Sequence, residues 1–376
     1  MGTIRYAIIG CGVVARKHLQ GARYHQNNRR SLEVVAAVDT RPGAAEKILL
    51  AAGFKAKEIA RIAIYEDYQK MLAEVRPDLV VITTPSGSHA TISLEALAAG
   101  AHVLIEKPLT LSLEQADEIL EVARKNNRKV AVGHIYRFFP LVQAIRADIL
   151  SGHFGRVLYG DVKVRWGHGQ EYYDQAAWRG TWSQDGGALM NQSVHAMDLM
   201  TWLLGQSVES ASGQIFRKTH HMEAEDLGFA ILTLANDVQC LVEGTTITDP
   251  KRPEASFFIR LTEGEIRAGI LSGKPHIAVY DHNGKNLASS YTRRIFWQTL
   301  RISGIQGLKQ LANPHSGLLG DLIAAIEESR EPLASAQSGR DAVALVLAIY
   351  QSALEKRIVH LPLKAFDLAK MQHFFS

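Results

Sequence analysis

The run Arg5-Tyr6-Ala7-Ile8-Ile9-Gly10-Cys11-Gly12-Val13-Val14-Ala15 decides how this chain is read. A short apolar stretch stops at two glycines one residue apart. A helical stretch follows, and a second apolar run, Glu33-Val34-Val35-Ala36-Ala37-Val38, ends at Asp39. Strand, tight turn, helix, strand is the context in which such a glycine pair reads as a dinucleotide cradle. Gly10 permits the tight turn, Gly12 lets a pyrophosphate approach the backbone, and Ala15 is small enough for helix and strand to pack closely. Val13 and Val14 lead into the helix N-terminus, whose N–H groups and partial positive charge favour phosphate. Asp39, with Thr40 beside it, stands where an acid accepts hydrogen bonds from both ribose hydroxyls and repels a 2′-phosphate. That predicts NAD over NADP. Arg41, two residues on, is the residue that would contact a 2′-phosphate.

The alternation continues outward from this unit. Leu79–Thr83 reads as a buried strand running into Thr84-Pro85-Ser86-Gly87-Ser88-His89, and His102–Ile105 as another, closing on Glu106-Lys107-Pro108. A strand over Lys129–Gly133 follows a helix over Leu113–Asn126 and leads into His134 and Arg137. The strand ends at Asp39, Thr84, Lys107 and His134 fall on the carboxyl edge, where ligands bind in open α/β sheets.

After about Leu150 the pattern becomes strands in series: Arg156–Val164, Ala211–Phe216, Leu227–Leu234, Gln239–Thr246 and Ser256–Leu261. Such a series predicts a mostly antiparallel sheet in an α+β domain. Residues 283–314 resist assignment and read as a loop or excursion, and helices return at Leu318–Glu328 and Arg340–Lys356. Within this half, Asp185-Gly186-Gly187 precedes Ala188–Gly205, a stretch apolar nearly all round. On α-helical spacing Asn191, His195, Asp198 and Trp202 share one face. An amide and an imidazole one turn apart in a buried helix, behind a Gly-Gly close-approach site, read as functional.

Composition sets the outer limits. The 376 residues are 47% apolar and 21% charged, which excludes a disordered chain and leaves room for two or three folding units. The 42 basic residues against 38 acids leave a formal charge of +4 with no dense basic block, so nucleic acid is not an expected partner. No run approaches the roughly 18 apolar residues of a membrane span, and no secretory leader is recognisable. Cys11 and Cys240 cannot form a disulfide framework or a multi-cysteine metal site. A cytoplasmic protein with no membrane partner and no metal is expected.

In this order, the motifs resemble the Gfo/Idh/MocA family of NAD(P)-dependent sugar and polyol oxidoreductases. Gly10–Ala15 matches the nucleotide turn, Thr84–His89 the second loop, Glu106-Lys107-Pro108 the EKP signature, and Gly186-Gly187 through His195 and Asp198 the GG…H..D helix. Many members carry Asp where this chain has Asn191, and Asn occurs in branches similar to nucleotide-sugar 3-dehydrogenases. The resemblance implies hydride transfer between a secondary hydroxyl of a sugar, sugar derivative or nucleotide sugar and NAD(P). Its implied catalytic residues are Lys107, His195 and Asn191. Because an amide does not titrate, proton transfer falls on Lys107, His195 or both. Asn191→Asp would then raise the pKa of Lys107 and move the pH optimum upward. Gly10, Gly12, Val13, Val14, Asp39, Thr40, Arg41, Thr84, Pro85, His89, Glu106 and Lys107 are the implied cofactor residues, with Glu106 pairing Lys107 or capping backbone. Arg137, Trp178 and Arg179 join Asn191 and His195 as substrate residues, and Asp198 either orients His195 or satisfies backbone.

The expected architecture is an N-terminal Rossmann domain over residues 1–135 followed by an α+β domain over 136–376. The C-terminal helices are left the option of packing back on the first domain. A large open sheet in the second would need covering, which predicts a homodimer or homotetramer built on it. Two other functions are compatible with the fold: an NAD-dependent redox glycosidase and a catalytically silent ligand sensor.

Overall fold

A computed structural model describes residues 2–28, 32–310 and 313–375. It divides into two compact units. One comprises Met1–Thr110, Glu114–Phe138 and Gln310–Arg340; the other comprises Leu111–Leu113, Phe139–Lys309 and Asp341–Ser376.

The first unit is built on a six-stranded parallel sheet: β1 (Ile4–Ile9), β2 (Leu32–Val38), β3 (Ala63–Tyr65), β4 (Leu79–Ile82), β5 (His102–Ile105) and β6 (Val130–Val132), in the order β3-β2-β1-β4-β5-β6. The order reverses between β1 and β4, the switch point at which open α/β sheets bind ligands. The strands are apolar at nearly every position because both faces are covered. Along β1, Ile4, Tyr6 and Ile8 enter one core with Leu19, Leu318 and Leu322, while Ala7 and Ile9 enter the other with Met71, Leu97 and Ile119. The helix Pro314–Glu327 lies on Ala15–Asn28, and Gly21 makes room for it: a Cβ there would come within 3.1 Å of Ser316 Cα. The C-terminal segment 310–340 therefore packs with the Rossmann strands.

The second unit carries an eight-stranded sheet: β7 (Val157–Arg165), β8 (Val208–Phe216), β9 (Leu227–Leu234), β10 (Val238–Thr245), β11 (Glu254–Leu261), β12 (Gly264–Leu271), β13 (Lys274–Asp281) and β14 (Val359–His360). Their order is β13-β12-β11-β7-β10-β9-β8-β14, antiparallel except where β7 meets β10 in parallel. One face packs on the helix Val194–Leu204. On the other, Tyr159, Phe229, Ile231 and Leu241 are each more than two-fifths exposed. The period-two alternation along β9 follows from this one-sided burial.

Two segments differ from the expectation. Within the stretch read as a loop over 283–314, residues 311–312 lie outside the described residues and Ala288–Gln310 is helical, with a break at Gly304. Its periodicity is hidden by solvent-facing Phe296, Trp297 and Ile305. The stretch read as one α-helix from Ala188 begins instead as a π-turn over Ala188–Ser193 and becomes α-helical only at Val194. Among the described residues no helix is long and apolar enough to cross a membrane. Cys11 and Cys240 are buried free thiols.

Candidate active site

In the first unit the expected cofactor residues gather on the carboxyl edge of the sheet. Gly10 adopts φ +89°, and a Cβ on it would lie 2.9 Å from the Thr83 carbonyl, so only glycine fits without strain. Gly12 has open space around its Cα, Val13 is 90% exposed, and the helix starts at Ala15. This is a turn with room for a phosphate at a helix N-terminus, and the residues fit a dinucleotide.

Asp39, at the end of β2, accepts from Cys11 N–H at 2.8 Å and Arg41 N–H at 2.9 Å. The Arg41 guanidinium also grips it in a fork of 2.9 and 3.0 Å. Burial works to raise the Asp39 carboxyl, but these donors outweigh it and hold it below the usual carboxylate range. Asp39 is thus a fixed anion at the end of β2, and Arg41 is already engaged with it.

Other expected residues turn inward. His89 is buried, its ring nitrogens 2.8 Å from Pro108 O and 3.0 Å from Thr84 O, so it links the Thr84 loop to the Glu106-Lys107-Pro108 turn. Burial lowers its pKa. Glu106 is buried too, 2.6 Å from His18 Nε2, and it accepts from Lys107 N–H at 3.2 Å. A Cβ at Gly133 would meet its carboxylate at 2.9 Å. His315 lies 3.9 Å from the same Glu106 oxygen and is pushed down to about 4, first by burial and then by His18. The three side chains bring their polar atoms within 4.8 Å of one another, with His18 and Glu106 at hydrogen-bond distance. Arg137 is buried and donates to Leu333 O at 2.7 Å, a tie within its own unit.

In the second unit the chemistry gathers at the π-turn. Glu225 is completely buried; its Oε1 accepts from Leu189 N–H at 2.8 Å and from the Tyr350 hydroxyl at 2.9 Å, while its carbonyl accepts from Ala188 N–H at 2.9 Å. The Glu225 side chain occupies the place a Cβ on Gly187 would take. Side chains at Gly228 and Gly244 would collide with Leu189. The extra residue of the π-turn is accommodated between this grip and the sheet. Consequently the α-helical spacing that aligns Asn191 with His195 does not hold across the junction; it applies to His195, Asp198 and Trp202. Trp202 carries Arg146, whose guanidinium sits 4.4 Å from the ring centroid and donates to Trp202 O at 2.8 Å, which makes its end of the helix structural.

Asn191 donates from Nδ2 to Oδ1 of buried Asp185, whose Oδ2 accepts from Gly180 N–H at 2.8 Å. Asp185 was visible in the sequence only as the residue before Gly-Gly. Asn191, Gln192 and Tyr172 line a small cleft with Asp185 and Thr246. Arg179 stacks over Tyr172 at 3.8 Å and over Trp178 at 4.9 Å, and His168 stacks on Tyr172 at 3.8 Å with the rings 5° apart. His168 is pushed down to about 4 by burial and the nearby Arg179, so it is a neutral ring at physiological pH. An apolar, stacked wall with one guanidinium and convergent amides suits a sugar bearing an anionic group.

Residues 4–134 match the family described as "Oxidoreductase family, NAD-binding Rossmann fold", and residues 142–267 match the GFO/IDH/MocA C-terminal domain. The chain is 31% identical over 220 residues to the D-glucoside 3-dehydrogenase of Escherichia coli, covering 57% of this chain and 58% of that protein. It is 26% identical to the D-apiose dehydrogenase of Paraburkholderia graminis, over 94% of this chain and 89% of that one. The crystal structure of the WlbA dehydrogenase from Bordetella pertussis, in complex with NADH and UDP-GlcNAcA, superposes with a TM-score of 0.84 at 29% identity, covering 96% of this chain and 99% of that one.

Burial pushes Glu225 up to about 8, the Leu189 N–H and Tyr350 hydroxyl offsetting only part of the effect. A carboxyl raised in the fold stabilises it below its unfolded value of about 4.3, and that stabilisation is lost as pH rises through about 8. Glu225→Gln keeps the acceptor and cannot ionise. Its melting temperature should gain on wild type from about pH 5 to about pH 8 and level off above. A pH-independent difference in thermal scans would place an ionised carboxylate there already.

Proposed function

The chain belongs to the Gfo/Idh/MocA family of oxidoreductases, and from that premise we propose that it oxidises a secondary hydroxyl of a sugar, within the family a nucleotide sugar, with NAD as hydride acceptor. The observation that carries this reading is that the Gly10 turn, Asp39 and Lys107 share one edge of the parallel sheet. The similarity to a dehydrogenase solved with NADH and UDP-GlcNAcA supports a nucleotide-sugar substrate.

NAD, when bound, supplies the nicotinamide ring that takes the hydride. The chain supplies the rest. Lys107, following β5 at the cofactor edge, is the proposed acceptor of the hydroxyl proton as the carbonyl forms, and His195 is the other titratable candidate for that proton. Asn191 orients the sugar without changing charge. Trp178 offers an aromatic surface to sugar C–H groups and Arg179 an anion contact, while Tyr172, sandwiched between His168 and Arg179, holds that guanidinium in place. Arg137, which donates to Leu333 O, remains a further substrate-residue candidate.

The second-unit sheet exposes Tyr159, Phe229, Ile231 and Leu241 on one face, and we assign that face to a second copy of the chain, giving a homodimer or homotetramer. Two buried, unpaired thiols accord with a cytoplasmic location. A monomer in sedimentation, or recovery outside the cytoplasm on fractionation, would contradict these assignments.

A screen of nucleotide sugars, free pyranoses and inositols with NAD should give NADH absorbance with a nucleotide sugar. Release of an aglycone without net NADH would assign the glycosidase instead, and sugar binding without turnover the sensor. Lys107→Ala should lower kcat by about 10²–10⁴-fold and leave NAD affinity within about tenfold. A variant keeping more than about a tenth of the activity would make Lys107 structural. NAD should bind more tightly than NADP, and Asp39→Ser should narrow the gap in a titration; equal affinities in wild type would promote Arg41 to a 2′-phosphate ligand.

A further inference from the structure

Asp185 is buried, and its two oxygens are committed in different directions: Oδ2 accepts from Gly180 N–H at 2.8 Å, and Oδ1 accepts from the Asn191 side chain. A carboxylate can only accept, so the Asn191 amide must turn its nitrogen toward Asp185. Its oxygen is then the end turned away from Asp185. Asn191 sits on the π-turn, whose backbone is held by Glu225 through Leu189 and by the bond from Asn191 N–H to Gly187 O at 2.9 Å. With the backbone fixed, the contact with Asp185 sets which end of the amide faces the carboxylate.

We propose that Asp185 is a positioning residue that sets Asn191 as a neutral hydrogen-bond acceptor for a sugar hydroxyl, and that its buried carboxylate is the reason this chain carries an amide at position 191. The proposal rests on the sugar-dehydrogenase reading for its substrate, but the pairing itself does not.

The pairing changes what Asn191→Asp should do. Two carboxyl groups in hydrogen-bond contact cannot both ionise without strong repulsion, so one retains a proton well above the usual range. The variant should therefore work best at acidic pH and fail as pH rises, opposite to the upward shift expected from Lys107 alone. Tyr172 and Tyr173 line the cleft with the pair, Arg179 and His168 stack on Tyr172, and Glu225 lies against Gly187. Burial raises both tyrosines, and Glu225 titrates near 8, so each pH point is referred to wild type.

Asp185→Asn is the complementary probe and is isosteric. Its side-chain oxygen stays with Gly180 N–H, so its nitrogen faces residue 191. Asn191 must then turn its oxygen inward and present a donor to the cleft. In the double variant Asp185→Asn/Asn191→Asp, the new amide donates to the new carboxylate, whose second oxygen again faces outward as an acceptor.

We expect each single variant to lose about 10–100-fold in kcat/KM at about pH 8, Asn191→Asp recovering as pH falls, and the double variant to exceed both singles by at least about tenfold. Asp185→Asn within about twofold of wild type, or a double variant equal to the product of the singles, overturns the proposal. Thermal scans supply a readout free of turnover. The deficit of Asn191→Asp relative to wild type should widen from about pH 5 to about pH 8 and close in the double variant, because a carboxyl raised in the fold loses its stabilising contribution as pH rises. A pH-independent deficit overturns the pairing. A wild-type protein that turns over no sugar while the scans behave as stated overturns the dehydrogenase reading and leaves the pairing standing.

Discussion

The hydrogen bond from Leu189 N–H to the buried Glu225 carboxyl organises the second unit. It satisfies a backbone donor at the start of a helix that has no residue of its own to cap it, and it does so from 36 residues away. The Tyr350 hydroxyl holds the same oxygen, and Gly187 is bare because the carboxyl lies where its Cβ would be. The next residue, Asp226, accepts from Lys218, Thr219 and His220 N–H groups at 2.8, 2.8 and 3.0 Å. Burial alone would raise Asp226; the His220 ring and these donors hold it at about 2. His220 in turn lies 3.0 Å from His168 O, and His168 stacks on Tyr172 beneath Arg179. Two adjacent acids, one held neutral up to about 8 and one ionised throughout, thus support both the turn that carries Asn191 and the aromatic wall beside it.

The first unit uses carboxylates with the same economy. Asp39 faces outward as a fixed anion, and Glu106 faces inward to His18 and to the backbone of Lys107. The residue that precedes the proposed base is thereby a structural anchor for the turn, tying the end of β5 to the helix Ala15–Asn28. His18 hydrogen-bonds Glu106 at 2.6 Å, and His315 lies 3.9 Å from the same oxygen.

The Rossmann half was legible because its signals are local: apolar runs of four to seven residues end at Gly10, Asp39, Thr84 and Lys107, and the structure ends strands at those places. Asp39 and Lys107 could be placed from strand ends alone. The inward turn of Glu106 and Arg137 could not, since His18 and Leu333 are distant in sequence. The π-turn was illegible for the same reason. Nothing between Ala188 and Ser193 departs from an α-helical pattern, and the grip that adds a residue to the turn comes from Glu225. Asp185 looked like turn punctuation because its role depends on where the turn places Asn191. Strand β13 and the helix Ala288–Gln310 were missed because both are largely solvated, so neither shows a clean period.

These relationships converge on one claim, that Asn191 presents its amide oxygen to a sugar while Asp185 holds its nitrogen. A high-resolution crystal structure with NADH and a nucleotide sugar tests it most directly. Asn191 Oδ1 should stand about 2.6–3.2 Å from a sugar hydroxyl with Nδ2 still on Asp185. A sugar hydroxyl accepting from Nδ2, with the Asp185 contact broken, would contradict it.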